Sequence, residues 1–271
     1  MSPSADGGAG ILGIRGAALA LGGRTLWSGL DLVLREGEFL AVLGANGTGK
    51  TSLLRAILGQ QRLDAGRIEL DGRPVRRGDR RIGYVPQQKL IQPGTPMRGR
   101  DLIGLGVNGH RFGPPLTTRA ERYRIDGLVA AVGAERYADE PVGNLSGGEQ
   151  QRLRVGQALA GDPRLLLCDE PLISLDLQHQ RGVSGLLDAR RREHGTPVVF
   201  VTHDVNPVLG MVDRILYLAA GGYRIGTPDE VLRSEVLTEL YGTPVEVIRS
   251  SGRIIVAGLP QHSDHHAEHD A

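Results

Sequence analysis

The sequence predicts an α/β fold: a mainly parallel sheet, an antiparallel β part at the N-terminus, and an inserted helical subdomain. Three observations carry this. Short continuous apolar runs (FLAVLG, RLLLC, PVVFV) alternate with helical patterns between residues 39 and 204. That alternation belongs to a parallel sheet covered on both faces. Residues 11–39 instead alternate apolar and polar side chains between Gly-rich turns, the pattern of short antiparallel strands. Between residues 90 and 140, Gly and Pro cluster first and a helical pattern follows, which marks helices set into the core.

In chain order, residues 1–10 are rich in Gly, Ser and Ala and are expected to form a disordered start. One large domain is expected over 11–245, with its helical subdomain at about 90–160. The run FLAVLG at 39–44 reads as a buried strand, and TSLLRAILG at 51–59 as a helix ending at Gly59. RIGYVPQ is a strand stopped by a proline. A helix is expected from 146 to about 160, and buried strands at 164–170 and 197–204. DRILYLAAGGYRIGTP reads as a hairpin and DEVLRSEVLTELYG as one helix. A strand region at 246–260 precedes a His-rich flexible tail at 261–271.

Composition narrows the partners. The formal net charge is +1 and aromatic residues make up 4%, so neither a basic field nor stacking platforms point to nucleic acid. The Arg clusters RPVRRGDRR and ARRREH read as solvated faces. The single cysteine, Cys168, allows no disulfide within the chain and reads as a small buried hydrophobe. No apolar run reaches the length of a membrane span.

Residues 44–51, GANGTGKT, match G-x-x-x-x-G-K-[ST] with a buried strand before and a helix after. In such a loop glycines bring the backbone close to phosphates. The N–H groups of Asn46, Gly47, Thr48, Gly49, Lys50, Thr51 and Ser52 can line an anion nest at a helix N-terminus, and Gly44 and Ala45 complete the expected ATP-binding loop. Lys50 would bridge the β- and γ-phosphates, and Thr51 would ligate Mg²⁺. Asp169 and Glu170 close the strand LLLCDE. The first suits Mg²⁺ and the second the attacking water, as general base or as orienter.

Further motifs follow in a fixed order: YVPQQ with Gln87, LSGGEQQR at 145–152, LISLD with Asp176, and VFVTHD with His203. Together with the phosphate loop and LLLCDE they resemble the ATP-binding-cassette ATPases over roughly residues 11–240. The resemblance implies a P-loop ATPase core that binds ATP and Mg²⁺ and works as a head-to-tail homodimer. Ser146, Gly147, Gly148 and Gln150 would then face ATP held by the partner. Gln87 would join Thr51 and Asp169 at Mg²⁺, and His203 would contact the γ-phosphate and align Glu170. One position departs from the family pattern: where an aromatic residue usually stacks on adenine, this chain has Leu21.

A compact single cassette without membrane spans resembles importer subunits most. Residues 81–106 and the C-terminal region resemble those of zinc and manganese importers. Iron-chelate or other cargo, or a soluble regulatory or assembly ATPase without a membrane partner, is the alternative. The importer reading implies two permease subunits, a separate substrate-binding protein, and a peripheral place on the cytoplasmic face of the membrane. His262, His265, His266 and His269 in the tail are candidate metal ligands of modest affinity.

Overall fold

The computed structural model describes residues 10–87, 90–109, 117–219 and 221–258. Apart from Gly10, the N-terminal stretch lies outside these residues, as does the tail with its four histidines.

The chain begins with two antiparallel strands, β1 (Leu12–Leu21) and β2 (Arg24–Leu34). They are long rather than short. Gly-rich turns are expected between short strands; Gly16 and Gly29 instead lie at register shifts inside the pair, with φ of 54° and 61°. Bulges of this kind absorb a left-handed residue without ending a strand. Only Gly22–Gly23 turns the chain. With β4 (Ala65–Leu70) and β5 (Arg73–Pro74), these strands form an antiparallel sheet ordered β2-β1-β4-β5.

The central sheet has the order β10-β9-β3-β8-β7-β6. Strands β3 (Phe39–Leu43), β6 (Ile82–Val85), β7 (Leu165–Asp169), β8 (Val198–Val201) and β9 (Arg214–Ala219) run parallel. Strand β10 (Gly222–Gly226) returns antiparallel at the edge. Both faces are covered, which explains the unbroken apolar runs. Phe39, Ala41 and Leu43 enter one core with Val85, Ile103 and Leu153. Leu40 and Val42 enter the other with Leu53, Leu54 and Trp27.

Helix α1 (Lys50–Ile57) follows β3, and Gly59 behind it takes φ 65°. Helices α2 (Gly99–Asn108), α3 (Arg119–Ala131) and α4 (Gly147–Leu159) occupy the region where the insertion is expected. Helix α5 (Leu177–His194) follows β7. Its Arg-rich end is not a solvated face. Arg190 reaches Asp162 and Thr196, while Arg191 bridges Asp188, Asp213 and the carbonyl of Gly37.

The helix expected across residues 229–242 is two, α6 (Pro228–Val231) and α7 (Ser234–Tyr241). The chain breaks at Leu232, whose side chain is buried and whose ψ is 69°. Ser234 then accepts the N–H of Val247. The C-terminal region is a separate antiparallel hairpin, β11 (Val245–Ser250) and β12 (Arg253–Gly258).

Candidate functional site

The site gathers at the carboxyl ends of β3, β7 and β8, where open α/β sheets hold their ligands. Each strand is buried along its whole length, so its last residue is placed firmly at the rim.

Residues 44–49 leave β3 as a tight loop. Gly44 has φ 141°, and a side chain there would collide with the carbonyl of Leu218. Gly49 caps α1 with φ 98° against the indole of Trp27, where a Cβ would come within 2.9 Å of Nε1. Thr48 closes the loop by donating its hydroxyl to the carbonyl of Ala45 at 2.9 Å. Ala45, Asn46 and Gly47 form the exposed crest, while Thr48, Gly49 and Lys50 are buried. The Lys50 ammonium donates to the carbonyls of Gly44 at 2.6 Å and Ala45 at 3.1 Å. Burial lowers its pKa, opposed by the carboxylates of Glu170 and Asp169. This cation sits inside the loop beside both acids, where a phosphate would exploit it.

Asp169 is buried at the end of β7. Burial and then Glu170 raise its pKa, while a hydrogen bond from Thr51 and the charges of Arg55 and Lys50 pull it down. The ionised form is therefore the costly one, and the stability contributed by the protonated form is lost as pH rises through the folded-state pKa. Asp169→Asn is expected to raise the thermal midpoint in chelator at neutral pH, by about 2–4 °C if the relief is about 1 kcal/mol. It should also abolish Mg²⁺-dependent tightening of nucleotide binding. Scanning calorimetry and nucleotide titrations check both.

Tyr84, on neighbouring β6, is a site residue that sequence pattern does not reveal. Burial pushes the pKa of its hydroxyl up to about 12, and the charge of Asp169 adds to the rise, so the hydroxyl stays neutral near that carboxylate. A tyrosine inside a strand reads as core by pattern alone. Only the β6–β7 pairing reveals the contact.

Glu170 follows with φ 45°, in the left-handed region that side chains disfavour. Its N–H is fixed to the carbonyl of Val201 at 2.9 Å. Its side chain is 15% exposed, and Oε2 lies 3.5 Å from Nδ1 of His203, which is much more open. A strained, nearly buried carboxylate beside a histidine and a phosphate loop is an arrangement met at reactive sites. Gln87 is exposed just beyond β6.

The LSGGEQQR segment forms the start of α4. Ser146 caps this helix in a reciprocal box with Glu149: its hydroxyl donates to the carboxylate at 2.8 Å and accepts the N–H of Glu149 at 3.3 Å. Ser146 is exposed and Gly148 buried. Gln150 does not face outward with them. It is 2% exposed. It exchanges hydrogen bonds with the backbone of Ile91 and donates to Val142 and Leu145. These bonds tie Gln150 down beneath the helix start and join α4 to the chain after Gln87.

Asp176 caps α5, accepting the N–H of His179 at 2.9 Å and meeting Nδ1 of its ring at 2.8 Å. That ring also packs against Gly148, where any Cβ would overlap it. His179 thus connects Asp176 to the start of α4. Nothing in the spacing of the two motifs announces this contact.

The donor set suits one Mg²⁺ beside a nucleotide: the Thr51 hydroxyl and the Asp169 carboxylate, which act on each other, with the exposed Gln87 amide just beyond β6. No cluster of three or more His, Cys, Asp or Glu that could hold a metal occurs among the described residues. No helix among them is long and apolar enough to cross a membrane.

Residues 27–173 match the ABC transporter family. The Fe(3+) ions import ATP-binding protein of Streptomyces avermitilis is 37% identical over 82% of this chain. The chain spans 64% of that relative's length. The zinc import ATP-binding protein of Paramagnetospirillum magneticum is 33% identical, with 86% of this chain and 82% of the relative covered. Among solved structures, an inward-facing ABC transporter described as of the metal-chelate type superposes with a TM-score of 0.76 at 27% identity. It covers 93% of this chain and 98% of its own. With the motifs at one rim and kinship across most of its length, this chain belongs to the ABC transporter family and carries that family's ATPase domain.

Proposed function

We propose that the chain hydrolyses Mg·ATP as the nucleotide-binding subunit of a metal importer, for zinc or manganese, and drives transport through two permease subunits. One observation carries the chemistry: Glu170, held at φ 45° on the end of β7, lies beside His203 and the phosphate loop. In this reading Lys50 and the loop amides bind phosphate. Thr51, Asp169 and Gln87 hold Mg²⁺, which would neutralise phosphate charge. Glu170 accepts the proton of the attacking water or orients it. His203 stabilises the γ-phosphate and keeps Glu170 in line.

The exposed start of α4 supports a homodimer. Ser146, Gly147 and Gly148 would cover ATP on a second copy, so ATP closes the dimer and hydrolysis releases it. Freeing the Ser146 hydroxyl from Glu149 would be part of that closure. A groove of about 410 Å³ beside Gln87, lined by Tyr84, Pro86, Gly106, Val107, Arg124 and Gln157, would take the membrane subunit. These partners would hold the chain on the cytoplasmic face, with a separate substrate-binding protein supplying cargo.

Cargo is the finer part of the reading. The iron, zinc and metal-chelate descriptions of relatives favour a metal, although relatives described as importing molybdenum and sulfate or thiosulfate match at similar identity. Elemental analysis of cells with and without the chain, grown on limiting metals, tests it. A selective fall in zinc or manganese is expected; a fall in iron alone would reassign the cargo. Re-expression without residues 261–271 tests the tail histidines as metal ligands.

Leu21 ends β1 with 45% of its surface exposed. With aliphatic contact to adenine in place of stacking, Leu21→Tyr is expected to tighten ATP binding by up to about tenfold. Equal affinities in a fluorescent-nucleotide titration would remove Leu21 from the adenine site.

A further inference from the structure

The hairpin β11–β12 is fastened to the loop that carries His203. Asn206 makes the joint. Its Oδ1 accepts the N–H of Ile254 at 2.8 Å, and its Nδ2 donates to the carbonyl of Ile254 at 2.9 Å. Ile254 pairs with Arg249 of β11, yet these two backbone groups meet the amide of Asn206. The side chain therefore acts as one residue of a third strand, satisfying an edge that would otherwise need water.

Asn206 is itself held from the His203 side. Oδ1 of Asp204 accepts both the N–H of Asn206 at 2.9 Å and its Nδ2 at 2.7 Å. Thr202 donates its hydroxyl to the carbonyl of Asp204 at 2.8 Å and accepts the N–H of Asp204 at 3.2 Å. Hydrogen bonds thus run from Thr202 through Asp204 and Asn206 to Ile254, bracketing His203 in sequence.

The hairpin is not a loose appendage. Val245 and Ile254 are buried in the same core as Leu237. Thr238 holds Val245 through its N–H at 3.0 Å. A cavity of about 470 Å³ separates hairpin from phosphate loop, with Gly44, Asn46 and His203 on its wall together with Ile254 and Val256.

We infer that Asn206 is a positioning residue: it transmits the placement of the C-terminal hairpin to His203, so that the hairpin sets the rate of hydrolysis without touching nucleotide. The inference rests on the proposed role of His203. A bracket of short hydrogen bonds limits where the imidazole can sit. A displacement of about 1 Å at a reacting group can cost up to about 10²-fold.

The test is steady-state ATP hydrolysis by the full chain carrying Asn206→Ala, Asn206→Gln or His203→Ala. Asn206→Gln keeps the amide but lengthens the arm, so it tests position if the alanine variant folds poorly. Both Asn206 variants are expected to lose about tenfold in kcat with KM within twofold, because the loop amides and Lys50 are untouched. His203→Ala should lose more. Amide exchange at Ile254 should quicken in Asn206→Ala while β3 and β7 stay protected. Parent kcat in both Asn206 variants, with His203→Ala impaired, overturns the inference and leaves the role of His203 standing. Parent kcat in His203→Ala overturns that role and the inference with it. A loss shared between kcat and KM, with a lowered thermal midpoint, assigns Asn206 to stability alone and also overturns it.

Discussion

Glu170→Gln is expected to lower ATP hydrolysis by roughly 10²–10⁴-fold while leaving ATP binding near the parent level. The amide is isosteric and cannot accept the proton of the attacking water. The backbone bond from the N–H of Glu170 to Val201 does not depend on the side chain, so the left-handed turn should survive. Removing a carboxylate next to Asp169 also eases one cause of that group's raised pKa. The variant should therefore be at least as stable as the parent. Because the reading ties dimer opening to hydrolysis, an ATP-bound dimer should accumulate. Turnover assays together with gel filtration in Mg·ATP check both parts. Hydrolysis at the parent rate would remove Glu170 from the chemistry.

Gly148→Ala should also impair turnover, by a different route. The added methyl overlaps the ring of His179, so either the ring leaves Asp176 or α4 shifts. The first outcome unties Asp176 from the start of α4, and the second displaces that start, which would face the partner's ATP. Turnover and ATP-driven dimerisation are both expected to fall by roughly 10-fold or more, on the scale of about 1–3 kcal/mol of coupling between touching residues. The double variant Gly148→Ala/His179→Ala vacates the ring and should recover part of the loss. A double variant no better than Gly148→Ala would show that the ring contact is not the cause.

Much of the site was legible because its chemistry rests on contiguous residues. The turns at Gly44 and Gly49, the acids at 169 and 170, and the capping box at Ser146 are each local events written in a few neighbouring letters. The helical insertion was legible from a change of period. What the sequence hid was pairing across distance. Tyr84 meets Asp169, Gln150 clamps Ile91, and Asn206 clamps Ile254 only because the sheet and helices bring them together. The β1–β2 ladder was misjudged for a local reason, since glycine permits a bulge as readily as a turn. Helix α6–α7 was misjudged because burial of Leu232 outweighed helical periodicity.

Trp27 is the only tryptophan in the sequence, and its indole lies buried under Gly49, with Nε1 unpartnered among the described residues. All the tryptophan emission of this protein therefore originates beneath the phosphate loop. When the loop tightens around a bound anion, the emission maximum or intensity should change, and no dye or engineered label is needed to follow it. The chain carries its own spectroscopic gauge of nucleotide capture, readable in a stopped-flow instrument on the unmodified protein.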